Sequence, residues 1–145
     1  MRVSTKGDYG VRALIELSHH FGEGPLQSSE IAARQHIPEP YLDQLLTTLR
    51  RAGFIRSVRG PQGGHQLLRD PYTVKLSDVI VSLEGSLAPI ACLEGDNACP
   101  KGTACAQRDV WEQVQQATMA ILDANSIGQL AEREREAAAG SRYYI

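Results

Sequence analysis

Cysteine is scarce, with three residues, Cys92, Cys99 and Cys105, in a chain of 145. An odd number clustered in one stretch does not make a disulfide framework, and no Cys-x-x-Cys dithiol is present. No general base stands evidently beside any of them, so a thiol enzyme is not expected. No apolar run approaches the ~20 residues that span a bilayer. The opening stretch, Met1 to Asp8, lacks the apolar core of a secretory signal, and a cytoplasmic location is expected. Internal repeats and low-complexity segments are also missing. What remains is ordinary for a globular chain, 42% hydrophobic and 22% charged. That is too apolar for disorder, and the length suits one compact domain with an appendage.

The net charge of −2 conceals a gradient. Residues 1–75 hold ten Lys/Arg against seven Asp/Glu, a net of +3, whereas residues 76–145 hold five against ten, a net of −5. From Arg50 to Arg69 there are five arginines and no acid. A local basic stripe displaces counterions from nucleic-acid phosphates even on an acidic protein.

Apolar spacing predicts a first helix over about Ser4–Phe21, with Val11, Leu14, Ile15 and Leu17 inward, ended by Gly22-Glu23-Gly24-Pro25. A short second helix follows, with Ser28 or Ser29 as its expected cap and Glu30 in its first turn. A third starts near Pro38–Pro40, buries Leu42, Leu45, Leu46 and Leu49, and ends at Gly53. Extended runs at 54–59 and 65–68 flank a Gly60-Pro61-Gln62-Gly63-Gly64 turn. Further helices are expected at 76–83, about 104–124 and 126–139, with 86–103 as loop. The fold class is therefore mainly α: a winged helix-turn-helix domain with a small β-hairpin wing, plus a long C-terminal helix. The expected divisions are 1–75 for the winged domain, 76–103 for a connecting helix and cysteine-bearing loop, and 104–145 for a dimerisation helix and tail. In this arrangement the third helix can enter a major groove and the hairpin can reach a minor groove, its tip glycines allowing close approach to the sugar–phosphate backbone.

Four motifs occur in order: Ser4-Thr5-Lys6-Gly7-Asp8-Tyr9-Gly10, Pro40-Tyr41-Leu42-Asp43-Gln44-Leu45, Leu49-Arg50-Arg51-Ala52-Gly53-Phe54-Ile55 and Ser57-Val58-Arg59-Gly60-Pro61-Gln62-Gly63-Gly64. Together they resemble the Rrf2 family of transcriptional regulators, and the likeness covers nearly the whole chain. The resemblance implies a homodimer on double-stranded DNA, paired through the helix at 104–124. It also implies that Arg59 enters the minor groove. Tyr41 and Gln44 are the expected base readers, since Gln can bond adenine in a bidentate manner. Asp43 either accepts from a cytosine amino group or only positions its helix. Ser28, Arg50 and Arg51 are expected phosphate contacts, with Lys6 and Arg56 as weaker ones. His65 stands where an aromatic is often seen, and is expected to pack or hydrogen-bond.

Cys92, Cys99 and Cys105 lie on a glycine-bearing stretch leading into a helix, where three thiolates can converge on a soft metal or an iron–sulfur cluster, 2Fe-2S or 4Fe-4S. Thiol redox sensing, zinc or silent thiols are the alternatives. Their placement is similar to that of the family's cluster-binding members, although the first gap holds six residues where those members usually have five. No histidine follows Cys105 closely, where one cluster-binding type has its fourth ligand. In another type that ligand is an aspartate from the partner subunit, and Asp8 matches its position; Glu94, Asp96 and Asp109 are other oxygen donors. The ending Ser141-Arg142-Tyr143-Tyr144-Ile145 is most similar to the cysteine-metabolism branch. There the resemblance implies an alternative: no cluster, and Ile145 docking into cysteine synthase as an amino-acid mimic.

Overall fold

The computed structural model describes residues 2–95, 101 and 105–143. The order of elements is α1 (Thr5–His19), α2 (Ser28–Gln35), α3 (Glu39–Arg51), β1 (Ile55–Val58), β2 (Gly64–Leu67), α4 (Leu76–Glu84), α5 (Arg108–Asp123) and α6 (Ile127–Tyr143), with 3-10 turns at Pro71–Thr73 and Ala91–Leu93. The mainly helical winged helix-turn-helix class is thus the observed one.

Helix α1 begins where Ser4 caps it, the hydroxyl accepting from the Gly7 amide at 3.4 Å. Glu84, at the end of α4, accepts from the Ser4 amide at 2.9 Å and from its hydroxyl at 2.6 Å. The two helices approach closely because Gly7 and Gly10 lack side chains. A Cβ on Gly10 would stand 2.3 Å from Leu83 Cδ1, and one on Gly7 would stand 2.3 Å from Glu84 Oε1.

Helix α2 starts at Ser28, preceded by Gln27 in extended backbone with no side-chain cap. Ser28 is therefore the first helical residue rather than the cap. The Gln27 side-chain Nε2 instead donates to the Pro61 carbonyl in the wing at 3.5 Å. Helix α3 carries Pro40 in its first turn and lays Leu42, Leu45, Leu46 and Leu49 into the core, each 2% exposed or less. Ala13, Leu14, Leu17, Ile31, Phe54 and Ile55 pack in the same cluster, which extends through Val74, Val79 and Leu83 to Ile127.

The wing is an antiparallel pair in the register Ile55↔Leu67, Arg56↔Gln66, Ser57↔His65 and Val58↔Gly64. A bridge between Leu26 and His65 adds a third, single-residue rung. Two of the glycines after the tip serve the wing's own backbone. A Cβ on Gly63 would stand 2.1 Å from the Val58 carbonyl oxygen, and one on Gly64 would stand 2.4 Å from that of Leu26. Gly60, at φ 109°, has open space around it and is the glycine that leaves the tip clear.

The C-terminal part departs from its expected limits. Helix α5 starts at Arg108 rather than near 104, after a turn in which the Arg108 amide reaches the Cys105 carbonyl at 3.4 Å. Helix α6 runs to Tyr143, four residues past the expected 139, because nothing in Ala137-Ala138-Ala139-Gly140 forces a break. Between them the chain is pinned. Leu76 N–H donates to the Asn125 carbonyl at 2.8 Å, and Ile127 N–H donates to that of Val74 at 2.9 Å. From there α6 returns over α1, burying Ile127 and Ala131, and Arg135 donates to the His19 carbonyl at 3.2 Å. Among the described residues, no helix is long and apolar enough to cross a membrane.

Candidate nucleic-acid interface and sensor segment

At about 100° per residue the buried leucines of α3 take one side of the helix, and the polar residues fill the rest as a single arc. Asp43 and Arg50 lie at the edge next to the wing, Tyr41 lies at the edge next to α1, and Gln44, Thr47, Thr48 and Arg51 lie between them. Tyr41, Asp43, Gln44, Arg50 and Arg51 are all exposed. Arg59 is exposed in the loop that joins β1 to β2, as is Arg56 on β1. Ser28 is half-buried at the start of α2, beside the Gln27–Pro61 contact. The expected contact residues thus lie at the start of α2, along α3 and on the wing, and all of them but Ser28 are exposed.

Each edge of α3 is held. At the α1 edge, the Tyr41 ring meets Tyr9 edge-on, with centroids 5.7 Å apart and planes at 85°. The Arg12 guanidinium stands 5.5 Å from the centre of the Tyr9 ring. Arg12 also donates to both carboxylate oxygens of Asp8 at 3.0 Å and to the Gln35 carbonyl, at the end of α2, at 3.4 Å. Arg12 is absent from the sequence-based candidates; its spacing of four from Asp8 on one helix was the available signal. Beside this edge lies a cavity of about 150 Å³ lined by Lys6, Tyr41, Gln44, Leu45 and Thr48.

At the wing edge, the half-buried His65 shares a hydrogen bond of 3.1 Å between its Nδ1 and the Ser57 hydroxyl. Burial holds its imidazole below the ordinary 6.5, Asp43 pulls the other way, and Arg50 reinforces the depression.

The orientation of α2 is set by a buried carboxylate. Glu16 is 6% exposed and accepts from Arg34 at 3.2 Å and from Gln35 at 2.9 Å. Burial pushes its pKa up, but those two hydrogen bonds and the charges of His19 and Arg34 outweigh burial and hold it below 4.5. Arg34 also contacts His20 Nε2, whose Nδ1 lies 3.0 Å from Glu23.

Cys92 sits in the turn at Ala91–Leu93 and Cys105 three residues before α5, both half-buried and, among the described residues, free thiols. Cys99 lies outside the described residues, as do Asp96 and Ile145. Among the described residues, no three His, Cys, Asp or Glu side chains converge on a metal position. Asp8 is occupied by Arg12 within its own subunit. The donor set itself, accessible thiols at both ends of a short segment, fits a soft metal or an iron–sulfur cluster.

Helix α5 has no buried residue. Trp111, Thr118, Met119 and Leu122 are half-buried, whereas Val110, Val114 and Ile121 are 56%, 42% and 65% exposed. The apolar side chains of α5 are therefore divided, with part leaning on α4 and part facing solvent. An open groove of about 450 Å³ runs alongside, lined by Val3, Gly7, Asp8, Val11, Leu76, Ile80 and Leu122.

A recognition-type helix with an outward polar arc, braced by a basic hairpin, defines a winged helix-turn-helix transcriptional regulator. Residues 3–133 match the model of the Rrf2 family, described as an iron-dependent transcriptional regulator. The chain belongs to this Rrf2 family of regulators, which are not enzymes. It is 37% identical over 131 residues to the HTH-type transcriptional regulator CymR of Bacillus subtilis, covering 90% of each chain. To the regulator IscR of Vibrio cholerae it is 34% identical over 130 residues, covering 90% of this chain and 75% of the relative. The structure of B. subtilis CymR, described as the global cysteine regulator, superposes with a TM-score of 0.77 at 34% identity, covering 92% of this chain and 98% of that one. The structure of T. potens IscR does so with a TM-score of 0.76 at 41% identity, covering 94% and 90%.

Proposed function

We propose that the chain acts as a homodimeric repressor whose grip on a pseudo-palindromic operator is set by the state of Cys92, Cys99 and Cys105. The observation that carries the DNA-binding reading is the unbroken polar arc of α3 continued by the arginines of the wing. Tyr41 and Gln44 read base edges, Asp43 accepts from a base amino group or limits phosphate approach, and Arg59 enters the minor groove. Ser28, Arg50 and Arg51 hold phosphates and fix the register.

Dimerisation is supported by α5. A helix with no buried residue and an exposed row of Val110, Val114 and Ile121 needs a partner, and a second α5 supplies the matching row. The partner would also cover the groove beside Asp8, bringing that carboxylate toward the other subunit's cysteine segment. Cys92, Cys99 and Cys105 would hold an iron–sulfur cluster, with Asp8 of the partner subunit as the fourth donor. When bound, such a group supplies redox- and ligand-sensitive ligation. For its part, the chain offers a short connection: Cys105 precedes α5 by three residues, so tension at its sulfur bears on the start of the helix that sets head spacing.

A second reading has a specific observation in its favour, the 37% identity to CymR. In it the chain answers to sulfur supply through cysteine synthase, docked by Ile145, with no cluster. One experiment separates the two. The protein is purified without oxygen, its visible spectrum recorded and iron and sulfide assayed, and duplex binding is compared for the as-purified, oxidised and metal-free forms. Iron with equimolar sulfide and state-dependent binding support the first reading. A colourless protein whose duplex binding changes only with cysteine synthase supports the second.

A further inference from the structure

His65 occupies a joint that the DNA-binding reading leaves unused. Its backbone is fixed on both sides: it pairs with Ser57 across the wing, and it exchanges two 2.8 Å hydrogen bonds with Leu26 in the loop before α2. Its ring is half-buried, with Nδ1 on the Ser57 hydroxyl. The ionised groups whose charge reaches it are Asp43 and Arg50, both on the wing-side edge of α3. Ser57 on β1, the Leu26 backbone, and Gly64 and Gln66 on its own strand carry no charge. The imidazole is therefore held on the wing by Ser57, within electrostatic reach of one anion and one cation of α3.

We propose that His65 is a further DNA-contact residue that takes up a proton when a duplex binds, so that duplex affinity rises as pH falls. This rests on the DNA-binding reading above. A phosphate arriving at the wing–α3 seam engages Arg50 and cancels its repulsion of an imidazolium, while Asp43 goes on attracting one. The phosphate's own negative charge acts in the same direction. Nδ1–H of the imidazolium can donate to Ser57, leaving Nε2–H for a phosphate oxygen. In the free protein, burial and Arg50 favour the neutral ring, so the proton is acquired on binding.

The test uses the full chain and a fluorescein-labelled mixed-sequence duplex at constant low ionic strength. Wild-type affinity by anisotropy should strengthen on going from about pH 8 to about pH 6, by ~3- to 10-fold per pH unit at the steepest point, the ceiling for one linked proton. His65→Gln should abolish that slope. His65→Tyr, which restores an aromatic ring, should also be flat and serves if the Gln variant misfolds. In wild type, the His65 Cε1–H resonance should titrate at higher pH with saturating duplex than without it. Equal midpoints with and without duplex, or an unchanged slope in both variants, would overturn the proposal. Absence of duplex binding at every pH would instead overturn the DNA-binding reading beneath it.

Discussion

The DNA-binding head and helix α5 differ most in how their apolar side chains are satisfied. In the head, Leu42, Leu45, Leu46 and Leu49 are almost wholly covered by residues of the same chain. In α5 no residue reaches burial, and three of the large apolar side chains face solvent. The α3 leucines are thus satisfied within one chain, in a core that reaches α4 and α6. The exposed apolar row of α5 is the physical support for the dimer proposed above, independent of the family resemblance.

The sharpest way to break the comparison is to cut into both regions. Leu49→Ala, at a fully buried site, should cost about 2–5 kcal/mol by removing apolar contacts and leaving a cavity. Chemical unfolding should show that loss. Ile121→Asp should leave the full chain folded, with a cooperative unfolding transition, yet make it monomeric in analytical ultracentrifugation. If it unfolds the subunit instead, α5 is part of the core and the contrast fails.

Two smaller effects sharpen it within the head. Arg59→Ala should weaken duplex binding by about 1–2 kcal/mol and reduce the salt slope by about one phosphate contact, with no change in thermal stability. Anisotropy titrations at several salt concentrations would show it. The Glu16 carboxylate gives the smallest effect, and only in acid. Its folded pKa lies below 4.5, so the unfolded chain binds its proton first as pH falls. Its stabilising contribution is complete above 4.5 and is lost as pH drops through the lower folded value. Glu16→Gln should remove that part of the acid dependence in pH-jump unfolding.

Much of the head was legible in the sequence. The leucine spacing in α3 reads as one buried stripe because Leu42, Leu45, Leu46 and Leu49 fall on one side of a helix whatever packs against them. The wing reads as a hairpin from its glycines, although the reason for Gly63 and Gly64 was not readable. They make room for the protein's own Val58 and Leu26 carbonyls, a contact set by tertiary approach. Ser28 and Ser29 both satisfy local capping chemistry, yet the N-cap position falls on Gln27, whose side chain donates to the wing's Pro61 carbonyl, a tertiary contact that local sequence does not encode. The Asp8–Arg12 pair lies at helical spacing and could have been read, but its onward path through Tyr9 to Tyr41 joins two helices and could not. The split of α5 into a leaning and an open side depends on where α4 ends up, which periodicity alone does not encode.

The pinned corner between α5 and α6 has a mechanical consequence. Two backbone hydrogen bonds tie it to Val74 and Leu76, and the Ser77 hydroxyl bonds Asp123 at the last residue of α5. One end of α5 is thereby a fulcrum welded to the head, while the other end leads from Cys105. Sixteen residues of helix make a rod about 24 Å long, so a tilt of about 5° displaces its far end by about 2 Å. In the dimer proposed above, with the other end clamped against a second copy, that geometry would run in reverse: a slight pull near the cysteines would swing each head bodily and change the span between the two copies of α3 without bending either.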